Sequence, residues 1–264
     1  MKYFLTFTVV MLLAFPAHAA VKGEFVDYRH GDVELRGYMA WDDSVKVRQP
    51  GVLVVHDWMG EGPFDQDVCR KLAGLGHVAF AADMYGKGVR PSNPQEAGKQ
   101  AGIYRSDRAL MRARARAALE VLRSHPLVDG EKVAAIGYCF GGGVSLELAR
   151  SGAPLAGTVS FHGNLDTPDP ADGKNIKGSI LVLHGADDPS VPPAQVNAFM
   201  EEMRSAGIDW QMVHYGNAVH AFTNPAAGND NSRGAAYNPL ADKRSWAAME
   251  DFLKEIFKGD PGSP

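Results

Sequence analysis

A cysteine, a pair of aspartates and a histidine stand in this chain at Cys139, Asp187–Asp188 and His220, each shortly after an apolar run. A thiol that gives its proton to an imidazole is a nucleophile, and a carboxylate behind the imidazole orients it and supports its charge. Cys139 has the most informative surroundings. The run Val133-Ala134-Ala135-Ile136 meets Gly137-Tyr138-Cys139-Phe140-Gly141-Gly142-Gly143, and a helical stretch over 144–150 follows. A residue on so sharp a strand-to-helix turn is pushed clear of the backbone, and side chains at Gly137 and Gly141 would collide with the neighbouring strand and helix. The first helical turn offers unpaired N–H groups and the positive end of the helix dipole, and both favour a thiolate. A phosphate-binding loop would need a Lys-Ser/Thr pair after the glycines, and none is there.

Groups so far apart in sequence meet only if the fold brings strand ends together. Residues 21–41 alternate apolar and polar positions around His30-Gly31-Asp32, which predicts an antiparallel hairpin. Residues 52–55 and 78–82 are continuous apolar runs, as in strands covered on both faces. Further strands are predicted over 132–138, 156–161, 180–184 and 208–215. Helices are predicted over 64–74, 106–124, 192–206 and 242–258. In the second helix Leu110, Ala113, Ala117 and Val121 form the apolar stripe, and Arg105, Arg108, Arg112 and Arg116 read as a solvated face. Residues 86–102 and 224–239, rich in Gly, Asn and Pro, read as long loops, the first a mobile one over the edge of a site. Strand alternating with helix, with no internal repeat, predicts one domain over 20–264 built on a mostly parallel sheet with helices on both faces. Sites on such sheets form at the carboxyl ends of strands, where Cys139, the Asp187–Asp188 loop and His220 all fall.

The whole chain narrows the possibilities. Its 264 residues suffice for a proper core, and 45% hydrophobic with 22% charged residues is ordinary for a globular protein. A net charge of −4 gives no reason to expect nucleic acid or an anionic membrane as partner. Nine histidines are scattered without His-Glu-x-x-His or Cys-x-x-Cys spacing, so no metal is expected. Lys2, the apolar stretch over 4–15 and Ala17-His18-Ala19 have the form of a signal peptide, too short to span a bilayer. Cleavage after Ala19 and export to the periplasm are expected, with no membrane anchor retained. Two cysteines in an oxidising compartment invite a disulfide, but Cys69 falls within a helical pattern and reads as a buried residue.

The chain resembles the dienelactone hydrolase family, the cysteine-nucleophile branch of the α/β-hydrolases. The resemblance is carried by Gly137-Tyr138-Cys139-Phe140-Gly141-Gly142, Asp188-Pro189-Ser190-Val191-Pro192, His220-Ala221-Phe222 and Asp83-Met84-Tyr85-Gly86, within residues 51–257. The order nucleophile, acid, histidine is that of the fold. Hydrolases of this fold place the acid in a Gly-x-x-Asp-x-x-Val pattern, which Asp188 satisfies with Gly185 and Val191, leaving Asp187 as a turn residue capping its own backbone. The resemblance implies hydrolysis of a small-molecule lactone or ester through an acyl-thiol intermediate, with no metal or organic cofactor. It also implies two departures. The family's best-known members carry a glutamate that helps to activate the thiol where this sequence has Asp57. They carry arginines for a substrate carboxylate where it has Lys87 and Asn224. Lysine is a point charge rather than a planar fork, and asparagine has no charge.

The chemistry assigns the remaining parts. Attack on a carbonyl makes an oxyanion that needs fixed donors, expected from the N–H groups of Phe140 and Trp58. Trp58, Tyr85 and Phe222 are expected as pocket walls, and His162 as a further lining residue. His56 and His184 read as polar residues that close strands. A thioester or amide hydrolase would share this fold. A binding protein that had kept the fold without catalysis would have no need of Cys139, Asp188 and His220 together.

Overall fold

Apolar runs such as 52–55 leave no polar face, so each strand must be covered on both sides. The computed structural model describes residues 20–258. The signal-peptide reading of 1–19 lies outside them. Eight strands form one sheet: β1 (Val21–His30), β2 (Val33–Asp42), β3 (Gln49–Val55), β4 (Val78–Ala82), β5 (Val128–Tyr138), β6 (Gly157–Phe161), β7 (Ser179–Gly185) and β8 (Trp210–Tyr215). Six α-helices accompany them among the described residues, the last following β8: α1 (Pro63–Gly74), α2 (Pro94–Ser106), α3 (Arg108–Ser124), α4 (Phe140–Arg150), α5 (Pro193–Ala206) and α6 (Pro239–Lys258). The strand order is β1-β2-β4-β3-β5-β6-β7-β8, antiparallel at β1–β2 and β2–β4 and parallel from β4 to β8.

The two-residue period of each central strand divides the core. Leu53, Val55, Phe80, Ala135 and Val182 pack towards α3, α4 and α5 on one face. Val52, Val54, Ala79, Ile136 and Leu183 pack towards α1 and α6 on the other. Val52 to Val55 are all fully buried. Burying each such side chain contributes about 1.5–3 kcal/mol relative to exposure, which makes β3 a rigid mount for the loop that follows it. On the helical side, α4 is anchored by Arg150, buried between Glu147 at 3.0 Å and Glu202 at 2.7 Å. Removing one member of such a set strands a buried charge and costs about 3–5 kcal/mol.

Three expectations are corrected. Residues 94–102 are the first part of α2, not mobile loop. Pro94 occupies the first helical turn, Asn93 Oδ1 accepts the Glu96 N–H at 3.0 Å, and Glu96 Oε2 accepts the Ser92 N–H at 2.8 Å. What reads as loop composition is a helix start. The buried face of α3 carries Met111, Ala115, Ala118, Leu119 and Leu122, while Leu110, Ala113, Ala117 and Val121 are only partly buried. Alanines populate both candidate faces, so hydropathy alone does not choose between them. Of the arginine face, Arg105 is exposed as read, but Arg108, Arg112 and Arg116 are half-buried and paired. Arg112 reaches buried Glu147 and Asp172, each at 2.7 Å, Arg108 reaches Asp166 at 2.6 Å, and Arg116 donates to the Ser151 carbonyl at 3.2 Å.

Candidate active site

From β3 the chain crosses to β4 on one side, and β5 then lies on the other side of β3. The carboxyl ends of β3 and β5 therefore flank a switch point of the sheet, where a crevice opens. Val55 pairs with Gly137 across it, so the loop 56–59 and the Cys139 turn leave the sheet side by side. Their approach leaves no room for side chains at the two turn glycines. A Cβ on Gly137 would lie 2.0 Å from the Gly141 carbonyl oxygen, and one on Gly141 would lie 2.1 Å from that of Val55. Cys139 itself sits at φ 54°, ψ −115°. Its N–H donates to the Phe161 carbonyl at 3.0 Å, which ties the turn to β6. Such a conformation costs about 1–3 kcal/mol and persists because the neighbouring strands hold it. His162 and Ala221 also have positive φ, and all three residues line one cavity of about 710 Å³.

The sequence-distant groups meet in that cavity. His220 Nε2 lies 3.0 Å from Cys139 Sγ, and His220 Nδ1 lies 2.8 Å from Asp188 Oδ2. The other Asp188 oxygen, Oδ1, accepts the Ser190 N–H at 2.7 Å, so the carboxylate is held from both ends. The His220 backbone is held too: its N–H donates to the Gly234 carbonyl, and its carbonyl accepts the Ala236 N–H. The 224–239 segment thus anchors the histidine. Burial alone would push the His220 imidazole down, but hydrogen bonds to Asp188 and Cys139 outweigh it and raise the pKa to about 10. Near neutral pH His220 therefore carries both protons, and Nε2–H donates to the sulfur while Nδ1–H donates to the carboxylate.

Phe140 follows Cys139 directly in the chain, and Trp58 lines the same cavity as Cys139. Neither the Phe140 N–H nor the Trp58 N–H donates to a backbone acceptor in a turn or loop among the described residues. Tyr85 Oη donates to the Trp58 carbonyl at 3.0 Å, and Asp57 Oδ1 accepts the Met59 N–H at 2.7 Å, which fixes the loop's shape. Burial raises the Asp57 carboxyl, with the Met59 hydrogen bond and the His220 charge acting against it. His162 is buried, and burial pushes its imidazole well below the ordinary range. Its Nε2 bonds Thr223 Oγ1 at 2.8 Å, and its ring meets that of His220 at 5.3 Å.

The sequence profile described as "Dienelactone hydrolase family" matches residues 35–257. The chain belongs to the dienelactone hydrolase family. A solved dienelactone hydrolase-like promiscuous phosphotriesterase from metagenomic libraries is 43% identical, with a TM-score of 0.86 over 90% of this chain and 99% of the other. The solved protein m3DLH is 42% identical, with a TM-score of 0.87 over the same shares. A protein of Aquifex aeolicus provisionally named a carboxymethylenebutenolidase is 28% identical over 246 residues, 89% of this chain and 100% of its own length. This member of the family, an α/β-hydrolase in fold, is a hydrolase of the lactone and ester type.

Asp57, Trp58, His162 and Asn224 line the cavity. Asn224 Oδ1 is turned to the Ala226 N–H at 2.9 Å, where it caps the turn that follows. Four readings are corrected. Lys87 does not reach the cavity: its Nζ pairs with Asp27 of β1 at 2.9 Å. Tyr85 lies behind the Trp58 loop, packed between His56 and Tyr104, and supports the wall without lining it. Phe222 is fully buried behind His162, ring to ring at 5.0 Å. Asp187 is exposed and its carboxylate makes no hydrogen bond among the described residues, while the turn's backbone is capped by Asp188. His56 sits buried at the end of β3, accepting the Met84 N–H at 3.2 Å. The cavity's cations, Arg105 and Arg233, were missed. Each comes from a segment whose composition reads as loop or solvated surface, and the sequence holds no signal that would have chosen them.

Proposed function

We propose that this enzyme is exported and cleaves a carboxylic ester or lactone through an acyl-thiol on Cys139, with His220 as proton carrier and Asp188 as its orienting carboxylate. The observation that carries the reading is the continuous chain Sγ–Nε2 at 3.0 Å and Nδ1–Oδ2 at 2.8 Å at the bottom of a cavity. The thiolate attacks the carbonyl carbon, and the carbonyl electron pair moves to oxygen, where the N–H groups of Phe140 and Trp58 receive it. As the C–O bond breaks, His220 Nε2–H protonates the departing alkoxide. Water then approaches the thioester, gives its proton to Nε2, and its oxygen attacks the same carbon. Collapse releases the acid and returns the thiolate. In a lactone the leaving alcohol stays attached to the acyl group, and the product is a hydroxy acid.

The neutral state of His162 supports this assignment, because a second imidazolium 5.3 Å from His220 would disfavour its charged form. Export rests on Lys2, the apolar stretch and Ala17-His18-Ala19. A phosphotriester is a second substrate class, favoured by the 43% identity to a promiscuous phosphotriesterase. Its phosphoryl oxygen would use the same N–H donors. The test is rapid mixing with an activated aryl ester. A burst of phenol equal in amount to the enzyme, followed by slower turnover, is the expected result. No burst and no turnover across aryl esters and lactones would remove the reading in favour of a binding protein.

A further inference from the structure

His56 follows β3 directly, fully buried and outside the proton chain of Cys139, His220 and Asp188. Its two ring nitrogens face two backbone groups. Nε2 accepts the Met84 N–H at 3.2 Å and therefore carries no proton. A neutral imidazole keeps one proton, which is then on Nδ1, and Nδ1–H donates to the Asp57 carbonyl. Burial holds the ring down at about 4, so it stays neutral and both bonds persist through the neutral range.

The Asp57 carbonyl and the Trp58 N–H belong to one peptide group. That peptide is trans, so its C=O and N–H point in opposite directions. The carbonyl is turned to the buried His56 ring, which turns the N–H the other way, towards the cavity that Asp57 and Trp58 line. The Gly60 N–H reaches the same carbonyl only at 3.4 Å, beyond ordinary hydrogen-bond distances. His56 is thus the main clamp on this peptide, and its bond also polarises the N–H at the other end. The same ring stacks on that of Phe140, which bears the second donor, at 6.0 Å between centres. A Cβ on Gly141 would lie 2.5 Å from the His56 carbonyl oxygen, so the two donor-bearing segments run in contact.

We propose that His56 is a positioning residue for the reaction, and that its Nδ1–H, acting through the Asp57 carbonyl, aims the Trp58 N–H at the oxygen of the reacting carbonyl. This role rests on the reading of Cys139 as the acyl-accepting thiol. Losing the clamp should lower kcat by no more than a whole oxyanion donor is worth, about a hundredfold to a thousandfold. KM should hold, because the contact matters only once charge sits on the oxygen.

Two variants divide the ring between them. In His56→Asn the side-chain NH2 falls at the Nδ1 place and donates to Asp57, with nothing at the Nε2 place. In His56→Gln the side-chain oxygen falls at the Nε2 place and accepts the Met84 N–H, with no donor at the Nδ1 place. Three quantities are measured, with circular dichroism confirming the fold: kcat for a neutral aryl ester, affinity for an aryl trifluoromethyl ketone, and the rate of Cys139 alkylation by iodoacetamide. The sulfur adds to the ketone carbon and leaves an oxyanion, whereas alkylation displaces iodide and makes none. His56→Asn should keep at least about tenfold more kcat and ketone affinity than His56→Gln. Alkylation should stay within about twofold of wild type in both. A merely structural ring would give the opposite order or none, because glutamine keeps the buried Met84 bond. Equal losses in the two variants, a better glutamine variant, or alkylation that slows in step with kcat would overturn the role. Nitrogen NMR of the wild type needs no variant to fold: His56 should be protonated at Nδ1 and bare at Nε2, and the reverse tautomer would refute the clamp. An enzyme that hydrolyses no ester, with variants that still rank as expected on the ketone, would sink the functional reading and leave the role standing. Ester turnover with equal ketone affinities would sink the role alone.

Discussion

Replacing Asp188 by asparagine changes one atom and should disable the enzyme. Its side chain is fully buried, Oδ1 accepts the Ser190 N–H at 2.7 Å and Oδ2 accepts from His220 at 2.8 Å. In Asp188→Asn the Ser190 N–H still needs an acceptor, so the amide oxygen takes the Oδ1 place and the NH2 faces His220 Nδ1. Two donors cannot face each other, so Nδ1 must give up its proton and Nε2 must keep one. The ring is then fixed in the tautomer that cannot take a proton at Nε2, and the imidazolium loses its counter-charge. Loss of a charge-assisted hydrogen bond alone is worth about 1.5–3 kcal/mol, or roughly ten- to a hundredfold in rate. With the tautomer reversed, the fall in kcat should be about a hundredfold to ten-thousandfold, with KM little changed. Asp187→Asn is the control. That carboxylate is exposed, and the contact that holds the residue, its N–H to the Ala218 carbonyl at 3.0 Å, is backbone. Its kcat should stay within about twofold of wild type. The assay is steady-state turnover of one aryl ester by both variants, with circular dichroism to confirm folding. A crippled Asp187→Asn beside a near-normal Asp188→Asn would refute the reasoning.

Other outcomes follow from the same geometry. Iodoacetamide should label Cys139 at least about a hundredfold faster than Cys69 in the folded enzyme, read by peptide mass spectrometry, because burial pushes the Cys69 thiol well up. Equal labelling with activity kept would contradict this. Nitrogen NMR should find His220 protonated at both ring nitrogens from pH 6 to 8 and losing a proton near about 10. Asp188→Asn removes a raising contact, so its value should fall towards the ordinary histidine range; an unchanged value would show that Asp188 does not support the charge. Lys87→Ala should change kcat/KM for anionic and neutral esters alike, within about twofold, since the lysine is spent on an exposed pair with Asp27. A loss confined to anionic esters would return Lys87 to the substrate.

The central sheet was legible because β3 to β7 must be apolar on both faces, and that demand writes continuous runs such as 52–55 into the chain. Cys139 was legible because close backbone approach admits only glycine at 137 and 141, and Asp188 because its turn has fixed spacing. The failures share a different cause. Whether Pro94 and Asn93 start a helix or sit in a loop depends on Ala97, Ala101 and Tyr104 finding a partner, which is a tertiary fact. Lys87 and Phe222 lie within matching motifs, yet motif position does not say which way a side chain turns. Lys87 turned to Asp27 of the hairpin, and Phe222 turned inward to His162 and Tyr215. Arg105 reached the cavity through α2, the one helix that the sequence reading lacked.

The covalent intermediate on Cys139 is the step on which the proposed mechanism turns. The enzyme is mixed with an activated aryl ester, quenched in acid during the burst, and weighed intact before peptide mapping. The predicted result is one added acyl group per chain, placed on Cys139 and absent from Cys139→Ala, which should also lose turnover. Turnover that continues in Cys139→Ala, or an acyl group mapped to any other residue, would contradict the account.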